Sequence, residues 1–361
     1  MVFDLWEDHE QIVHVRDDSV GLRAIIAIHS TALGQSLGGT RFRPYDNERD
    51  ALEDVMRLSR AMSYKAACAG LPLGGGKAVI IGDPSTDKSD ALFRAYGKAI
   101  DSLSGRYITA CDVGTFPADM SVIKTQTRWA TGTPVAEGGS GDSGILTAWG
   151  VFVGIRKAAE YRWGSSDLSG SRVAVQGLGK VGARVVEHLV EAGASVVVAD
   201  VDEERVAKAT TLANVTATPV DEVVAADVDI LSPNALGAVL SAETIPTIRA
   251  KVVCGGANNQ LAHDEDAKLL ADHDILYAPD YVVNSGGIIN IFGELDEGGW
   301  NEEVAHRRTD RIADTLQEVF DLATSEGITT EEAAERIAEA RMSVRTGPDR
   351  WWHPGRDDAR A

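Results

Sequence analysis

The chain has 361 residues, 44% of them hydrophobic and 25% charged, with a formal net charge of -20. That length holds two domains with separate cores, the composition is that of a soluble globular protein, and the charge speaks against nucleic acid or an anionic membrane as partners. No apolar run reaches the length of a membrane span, there is no signal-peptide pattern, and three scattered cysteines (Cys68, Cys111, Cys254) argue against a disulfide framework and for a reducing cytoplasm.

Two apolar stretches, Gln11–Val15 and Leu22–Ile28, flank Asp17-Asp18-Ser19 and predict a hairpin. Leu37-Gly38-Gly39 reads as a loop. Helical periodicity follows from Ala51 to Met62 and runs on to Ala69, where Leu71-Pro72-Leu73 ends it. Gly74-Gly75-Gly76 allow a close turn or the approach of a ligand, and Ala78–Ile81 reads as a buried strand. Lysine is scarce here, 10 against 25 arginines, yet Lys65 and Lys77 stand twelve residues apart in apolar or glycine surroundings. Lys77 at the turn into a buried strand is placed to act as a general base; the alternative is that both lysines cap helix ends or snorkel to solvent. The same scarcity, with the acidic surplus, suits either a high-salt cytoplasm or a merely acidic protein.

Asp90–Leu103 is a second amphipathic helix, and Tyr107-Ile108-Thr109 a short strand delivering Ala110, Cys111 and Asp112 at its end. Asp112 before a glycine turn is placed for chemistry, or for capping the turn. The glycine-rich passage from Thr131 to Gly144 predicts a domain boundary and hinge. A helix from Ser143 to Ala159 sets Ser143 and Thr147 one turn apart on one face; both hydroxyls can also cap or bond back within the helix. A strand then feeds Gly177-Leu178-Gly179-Lys180-Val181-Gly182, an amphipathic helix follows, and a second strand closes on Asp200. This is a dinucleotide-binding context: the glycines admit the diphosphate to a helix N-terminus, and Asp200 meets the adenosine ribose, preferring NAD to NADP.

The alternation continues through strands ending at Asn234, at Gly255-Gly256-Ala257-Asn258, and at Ile275–Gly287 with Asn284. Asn beside Gly is ordinary turn chemistry as well as cleft lining. Val304–Thr324 and Thr329–Arg341 are helical, the latter opening on the capping signal Thr329-Thr330-Glu331-Glu332. Trp351-Trp352-His353-Pro354 in the tail indicate a protein contact or a disordered end. No His or Cys cluster has metal-ligand spacing.

Leu37-Gly38-Gly39-Thr40-Arg41, Met62-Ser63-Tyr64-Lys65-Ala66-Ala67, Gly74-Gly75-Gly76-Lys77 and Asp112-Val113-Gly114-Thr115 resemble, in order and spacing, the glutamate/leucine/phenylalanine/valine dehydrogenase family, over nearly the whole chain. The resemblance implies an α/β protein: an N-terminal α/β substrate domain (1–132), a Rossmann-type doubly wound dinucleotide domain (133–324), and C-terminal helices (325–361) returning to the first domain. It implies NAD-dependent, reversible oxidative deamination of an L-amino acid to its 2-oxo acid and ammonia by a homo-oligomer. Lys65 then grips the substrate carboxylate, Lys77 activates water, Asp112 exchanges the amine proton, and Ser143, Thr147, Asn234 and Asn258 face the cofactor. Glutamate enzymes of the family carry lysine where this chain has Leu37. Together with Gly38, Gly39, Ala110, Asn284, Ile288 and Ile291, that position implies a branched-chain aliphatic substrate. Phenylalanine or glutamate as substrate, a non-catalytic NAD sensor and a hydroxy-acid dehydrogenase are the alternatives. A sensor has no need of Lys65, Lys77 and Asp112, and no His–carboxylate pair follows the nucleotide fold.

Overall fold

Asp17 accepts hydrogen bonds from the Ser19 N–H (3.0 Å) and hydroxyl (2.6 Å) and so turns the chain between two antiparallel strands, β1 (Gln11–Asp17) and β2 (Leu22–Ser30). The structure is a computed structural model, which describes residues 8–235 and 237–344; the tryptophan pair Trp351-Trp352 lies outside them. β3 (Ser36–Arg43) comes next, then α1 (Glu48–Cys68), β4 (Gly74–Ile81), α2 (Asp90–Ser102), β5 (Tyr107–Cys111) and α3 (Pro117–Lys124). The five strands form one mixed sheet in the order β1-β2-β4-β3-β5, with β3 parallel to both of its neighbours.

Two expectations fail here for one reason. Leu37-Gly38-Gly39 is not a loop and Gly74–Gly76 is not a turn: both runs lie inside strands. The glycines permit close contact rather than a bend. A Cβ on Gly38 would stand 1.8 Å from the Gly76 carbonyl oxygen, one on Gly75 would stand 2.1 Å from the Ser63 nitrogen of α1, and one on Gly76 would stand 2.8 Å from the Tyr107 ring. Helix α1 is also longer than its apolar periodicity, because Asn47 caps it by accepting the Asp50 N–H (3.0 Å) and Glu48 and Asp50 suit its positive end. Ala51, Val55 and Met56 of this helix pack on Ile25, Ala27 and Val79 of the sheet.

The remaining elements are α4 (Gly144–Trp163), β6 (Arg172–Gln176), α5 (Gly182–Glu191), β7 (Ser195–Ala199), α6 (Glu203–Ala209), β8 (Val215–Ala217), β9 (Ile230–Pro233), β10 (Val252–Val253), α7 (Asp266–Asp272) and β11 (Leu276–Tyr277), followed by α8 (Asp280–Val283), α9 (Gly286–Phe292), α10 (Glu302–Asp310), α11 (Ile312–Glu326) and α12 (Thr330–Ser343). Strands β6 to β11 form an all-parallel sheet in the order β11-β10-β9-β6-β7-β8. That is a doubly wound sheet whose order reverses between β6 and β9, which is where such sheets bind dinucleotides. Its inner strands are largely apolar because both faces are covered; Ala174, Leu231, Val253 and Tyr277 meet Val223, Leu240, Ile245 and Leu270 in one core.

Two details differ from the periodicity. The helix expected over Val304–Thr324 is two helices broken at Arg311, and Asn284 follows a four-residue helix rather than a strand. Thr329 accepts the Glu332 N–H (3.1 Å) at the start of α12, as its capping signal indicates.

Two units emerge from the packing. One gathers the chain up to Gly141, Ile291–Trp300 and the described residues from Ala338; the other holds Asp142–Asn290 and Asn301–Ile337. In the first, Arg341 of α12 donates to the Ala67 and Cys68 carbonyls (2.9 Å each), satisfying the open end of α1, and Tyr64 donates to Glu339 (2.9 Å). No helix among the described residues is long and apolar enough to cross a membrane.

Candidate active site

In the first unit the chemistry collects where β4 and β5 flank β3. Lys77 of β4 is 6% exposed, and its Nζ donates to Oδ2 of Asp112, the residue that follows β5. Oδ1 of Asp112 accepts the Val113 N–H (2.7 Å) and Nε–H of Arg41 (3.2 Å). Burial alone would raise the Asp112 carboxyl. The Lys77 ammonium and its hydrogen bond, then Arg41 and the Val113 N–H, outweigh burial and hold it below the usual carboxylate range.

Arg41 reaches on to Asp54 of α1 (Nη1 to Oδ2, 2.9 Å), which also accepts from the Tyr45 hydroxyl (2.7 Å) and Arg57 (3.1 Å). Lys65, half-buried in the last turn of α1, follows Asp54 by eleven residues, close to three turns, so both stand on one face of the helix. Leu37 and Ala110 are buried in β3 and β5, where Gly39 pairs with Ala110. Beside Asp112, burial pushes the Cys111 thiol up to about 12, with Asp119, Glu294 and Asp112 adding to it, so this cysteine stays a thiol.

The second unit carries the nucleotide motif. Gly177 takes φ +90, and a Cβ there would stand 2.7 Å from the Ala235 Cβ; one on Gly182 would stand 1.9 Å from the Gly177 carbonyl oxygen. Gly179 is different, with nothing within 4 Å of its missing Cβ. It leaves the loop of Leu178, Gly179, Lys180 and Val181 open on that side, and α5 begins at Gly182 with no side-chain cap on its N–H groups. Asp200 follows β7 and accepts the Leu178 N–H (Oδ2, 2.5 Å) and the Asp202 N–H (Oδ1, 2.9 Å), which leaves acceptor capacity on both oxygens.

Asn234 joins two strand ends, donating to Ser232 O (2.9 Å) and accepting the Gly256 N–H (2.9 Å). Asn284 donates to Asn258 Oδ1 (2.8 Å) and Gly256 O (3.3 Å), while its own Oδ1 is buried with no hydrogen-bond partner. Thr147 spends its hydroxyl on the Ser143 carbonyl (2.9 Å), the back-bonded arrangement that its sequence position also allowed, and Ser143 caps nothing with its side chain. Ile288 is buried on α9, and Ile291, half-buried, groups with the first unit. The open Gly179, the uncapped N-terminus of α5, the carboxylate at the end of β7 and the orphaned amide oxygen of Asn284 together fit a dinucleotide with an acceptor-seeking amide. Among the described residues no group of three or more His, Cys, Asp or Glu is placed to hold a metal ion.

Comparison with known proteins gives the family. Residues 9–129 match the Glu/Leu/Phe/Val dehydrogenase dimerisation domain, and residues 138–204 and 198–345 match the Glutamate/Leucine/Phenylalanine/Valine dehydrogenase description. The chain belongs to this family. It is 53% identical to the valine dehydrogenase of Streptomyces virginiae over 338 residues, 93% of this chain and 94% of that one. It is 46% identical to the leucine dehydrogenase of Bacillus cereus over 336 residues, 93% and 91% of the two chains. Among solved structures, the L-tryptophan dehydrogenase of Nostoc punctiforme superposes with a TM-score of 0.85 at 42% identity, over 96% of this chain and 99% of that one.

Three residues of this family member escaped the sequence reading. Arg41, seen only within a motif, was given no role because Gly38-Gly39 read as a loop; as a strand, the segment's alternation sets Gly39 and Arg41 on one face. Asp54, on α1, carries no signal for its strand partner. Glu294 had no local signal at all. It accepts the Gly132 N–H (2.9 Å), the Ser140 N–H (2.8 Å) and the Ser140 hydroxyl (2.6 Å), and so buckles both ends of the glycine-rich passage expected to be a hinge.

Proposed function

We propose that this chain is an NAD-dependent dehydrogenase that deaminates branched-chain aliphatic L-amino acids, reversibly, to their 2-oxo acids and ammonia. The buried Lys77–Asp112 pair carries the reading, since two groups able to exchange protons meet in a partly desolvated site. Lys65 grips the substrate carboxylate. NAD held there would supply the acceptor for the hydride that leaves the substrate Cα. Lys77, neutral once its ammonium proton has been released to solvent, takes a proton from the water that adds to the resulting imine, and Asp112 exchanges a proton with the substrate nitrogen as ammonia departs. The backbone of Gly177–Gly182 holds the diphosphate, Asp200 the adenosine ribose, and Asn258 and Asn284 the nicotinamide and substrate, with Ser143, Thr147 and Asn234 on the cofactor's side.

Support for the substrate comes from the apolar positions. Leu37 and Ala110 are buried, and neither offers a charge to a distal carboxylate, which would cost several kcal/mol to bury alone. The β-branched Ile288 and Ile291 suit a compact aliphatic side chain, and relatives named for valine and leucine point the same way. A second reading, an aromatic substrate, has behind it the likeness to the L-tryptophan dehydrogenase. The proposal includes a homo-oligomer, since residues 9–129 match a domain described as one of dimerisation, and a cytoplasmic location, which suits three free cysteines.

A panel of L-amino acids assayed for NAD reduction tests this. Valine, leucine and isoleucine should lead by kcat/KM, overlapping because one methylene is worth only about 1–3 kcal/mol. Phenylalanine should follow and glutamate should trail far behind. A profile led by phenylalanine, tryptophan or glutamate overturns the substrate assignment.

A further inference from the structure

Asp112 is held by cations from two different strands, and only one of them has a role in the reaction as proposed. Lys77 of β4 takes Oδ2, while Arg41 of β3 takes Oδ1 through Nε at 3.2 Å. Arg41 is itself anchored: Nη1 donates to Asp54 Oδ2 at 2.9 Å, and the Tyr45 hydroxyl and Arg57 hold Asp54 at 2.7 and 3.1 Å. The side chains of Arg41, Asp54 and Asp112 are 18%, 14% and 16% exposed, so the chain of contacts is sheltered, unlike a surface ion pair. A guanidinium suits this place because its planar fork can meet two carboxylates at once. An ammonium on a flexible stem would meet one of them as a point charge.

We propose that Arg41 is a positioning residue: anchored on Asp54, it fixes the Asp112 carboxylate in the orientation that presents Oδ2 to Lys77. The inference rests on the reading of Asp112 as the proton-exchanging group. Without Arg41 the carboxylate keeps only Lys77 and the Val113 N–H and can turn about its last torsion. It also loses one of the two cations that favour its ionised form. The other groups facing Asp112 do not compensate: from β5, Tyr107 and Cys111 are both pushed up to about 12 by burial and stay neutral, and Lys88, Asp119 and Glu294 act on Cys111.

The test compares Arg41→Ala, Arg41→Lys, Asp54→Asn and Asp112→Asn with the parent enzyme, using NAD and the best amino acid of the panel across a pH series. Arg41→Ala should lower kcat by roughly tenfold to hundredfold, the scale of a misplaced reacting group, with KM for NAD unchanged. The acid limb of its rate profile should move to higher pH, and guanidinium ion below denaturing concentration should restore part of the rate. Arg41→Lys should keep the acid limb near that of the parent but not the rate, and Asp54→Asn should show a smaller loss in kcat. A folded Arg41→Ala with the parent's rate and profile overturns the proposal, as does a loss that guanidinium cannot restore and that leaves the acid limb in place. If Arg41→Ala does not fold, parent-like kcat in both Arg41→Lys and Asp54→Asn overturns it. Parent-like turnover by Asp112→Asn is the separate outcome in which the reading of Asp112 fails, and the proposal falls with it.

Discussion

Gly39 and Asp112 stand so close that a Cβ on the glycine would lie 2.9 Å from the Asp112 Cβ and 2.4 Å from the Cys111 carbonyl oxygen. The strand between Lys77 and Asp112 is bare at this point, and the bareness is what lets the lysine and the carboxylate meet across it. Gly39→Ala should therefore displace Asp112 and cost about a hundredfold in kcat, with a smaller effect on NAD binding. Steady-state kinetics beside NAD titration check this; an alanine variant with parent-like kcat would show that β3 can shift without moving Asp112.

A second prediction concerns His29, which lies buried in β2 with Nδ1 2.8 Å from the Ser63 hydroxyl and its ring 4.9 Å from that of His9. Burial, then the neighbouring His9 and Arg60, lowers its pKa to about 4. The unfolded chain takes up this proton near pH 6.5 and the folded one only near 4, so stability is present at neutral pH and is lost as pH falls through that window. The expected loss is roughly 2 kcal/mol between about pH 7 and pH 5. Urea unfolding at the two values should show it in the parent and show less of it in His29→Gln. Equal pH dependence in the two proteins would assign the loss to other groups.

The dinucleotide half was legible because its signals are local. A strand, three spaced glycines, a helix and a closing aspartate occupy one short stretch, and each lies where the pattern puts it. The N-terminal half was legible in the order of its motifs but not in its backbone. Gly38, Gly39 and Gly74–Gly76 read as loop and turn because glycine is usually punctuation, whereas here each answers to an atom distant in sequence, such as Ser63, Tyr107 or Cys111. Asp54 is thirteen residues from Arg41, on a different element, and no periodicity sets a strand residue against a helix residue; no window around Glu294 reveals Gly132 and Ser140, since those bonds span more than 150 residues. Periodicity reports which face of an element is apolar; it does not report which polar partners the fold brings there.

Cofactor choice gives a third prediction. On the proposed reading Asp200 holds the adenosine ribose, so a 2′-phosphate there would meet its carboxylate, and like charges set together cost several kcal/mol. The parent enzyme should favour NAD over NADP by at least about a hundredfold in kcat/KM. Comparable rates with the two would show that Asp200 does not face the ribose and serves only the Leu178 and Asp202 N–H groups.

The charge gives a fourth. With a net charge of -20, the folded chain repels itself, and salt at about 1 M shortens the screening length to about 3 Å. We propose that the acidity is an adaptation to high salt, so that Tm and the rate both rise as potassium chloride increases from about 0.1 M toward about 2 M. A Tm that is flat or falls over that range would leave the composition merely acidic.

The most direct measurement is turnover by Lys77→Ala. Lys77 lies in the first unit, away in sequence from Gly177–Gly182, and among the described residues its side chain bonds to Asp112. The variant should bind NAD with the parent's Kd and lose at least about a hundredfold in kcat, the scale of a lost acid–base group. Turnover within a few fold of the parent, with NAD bound equally well, would contradict the assignment of proton chemistry to the Lys77–Asp112 pair.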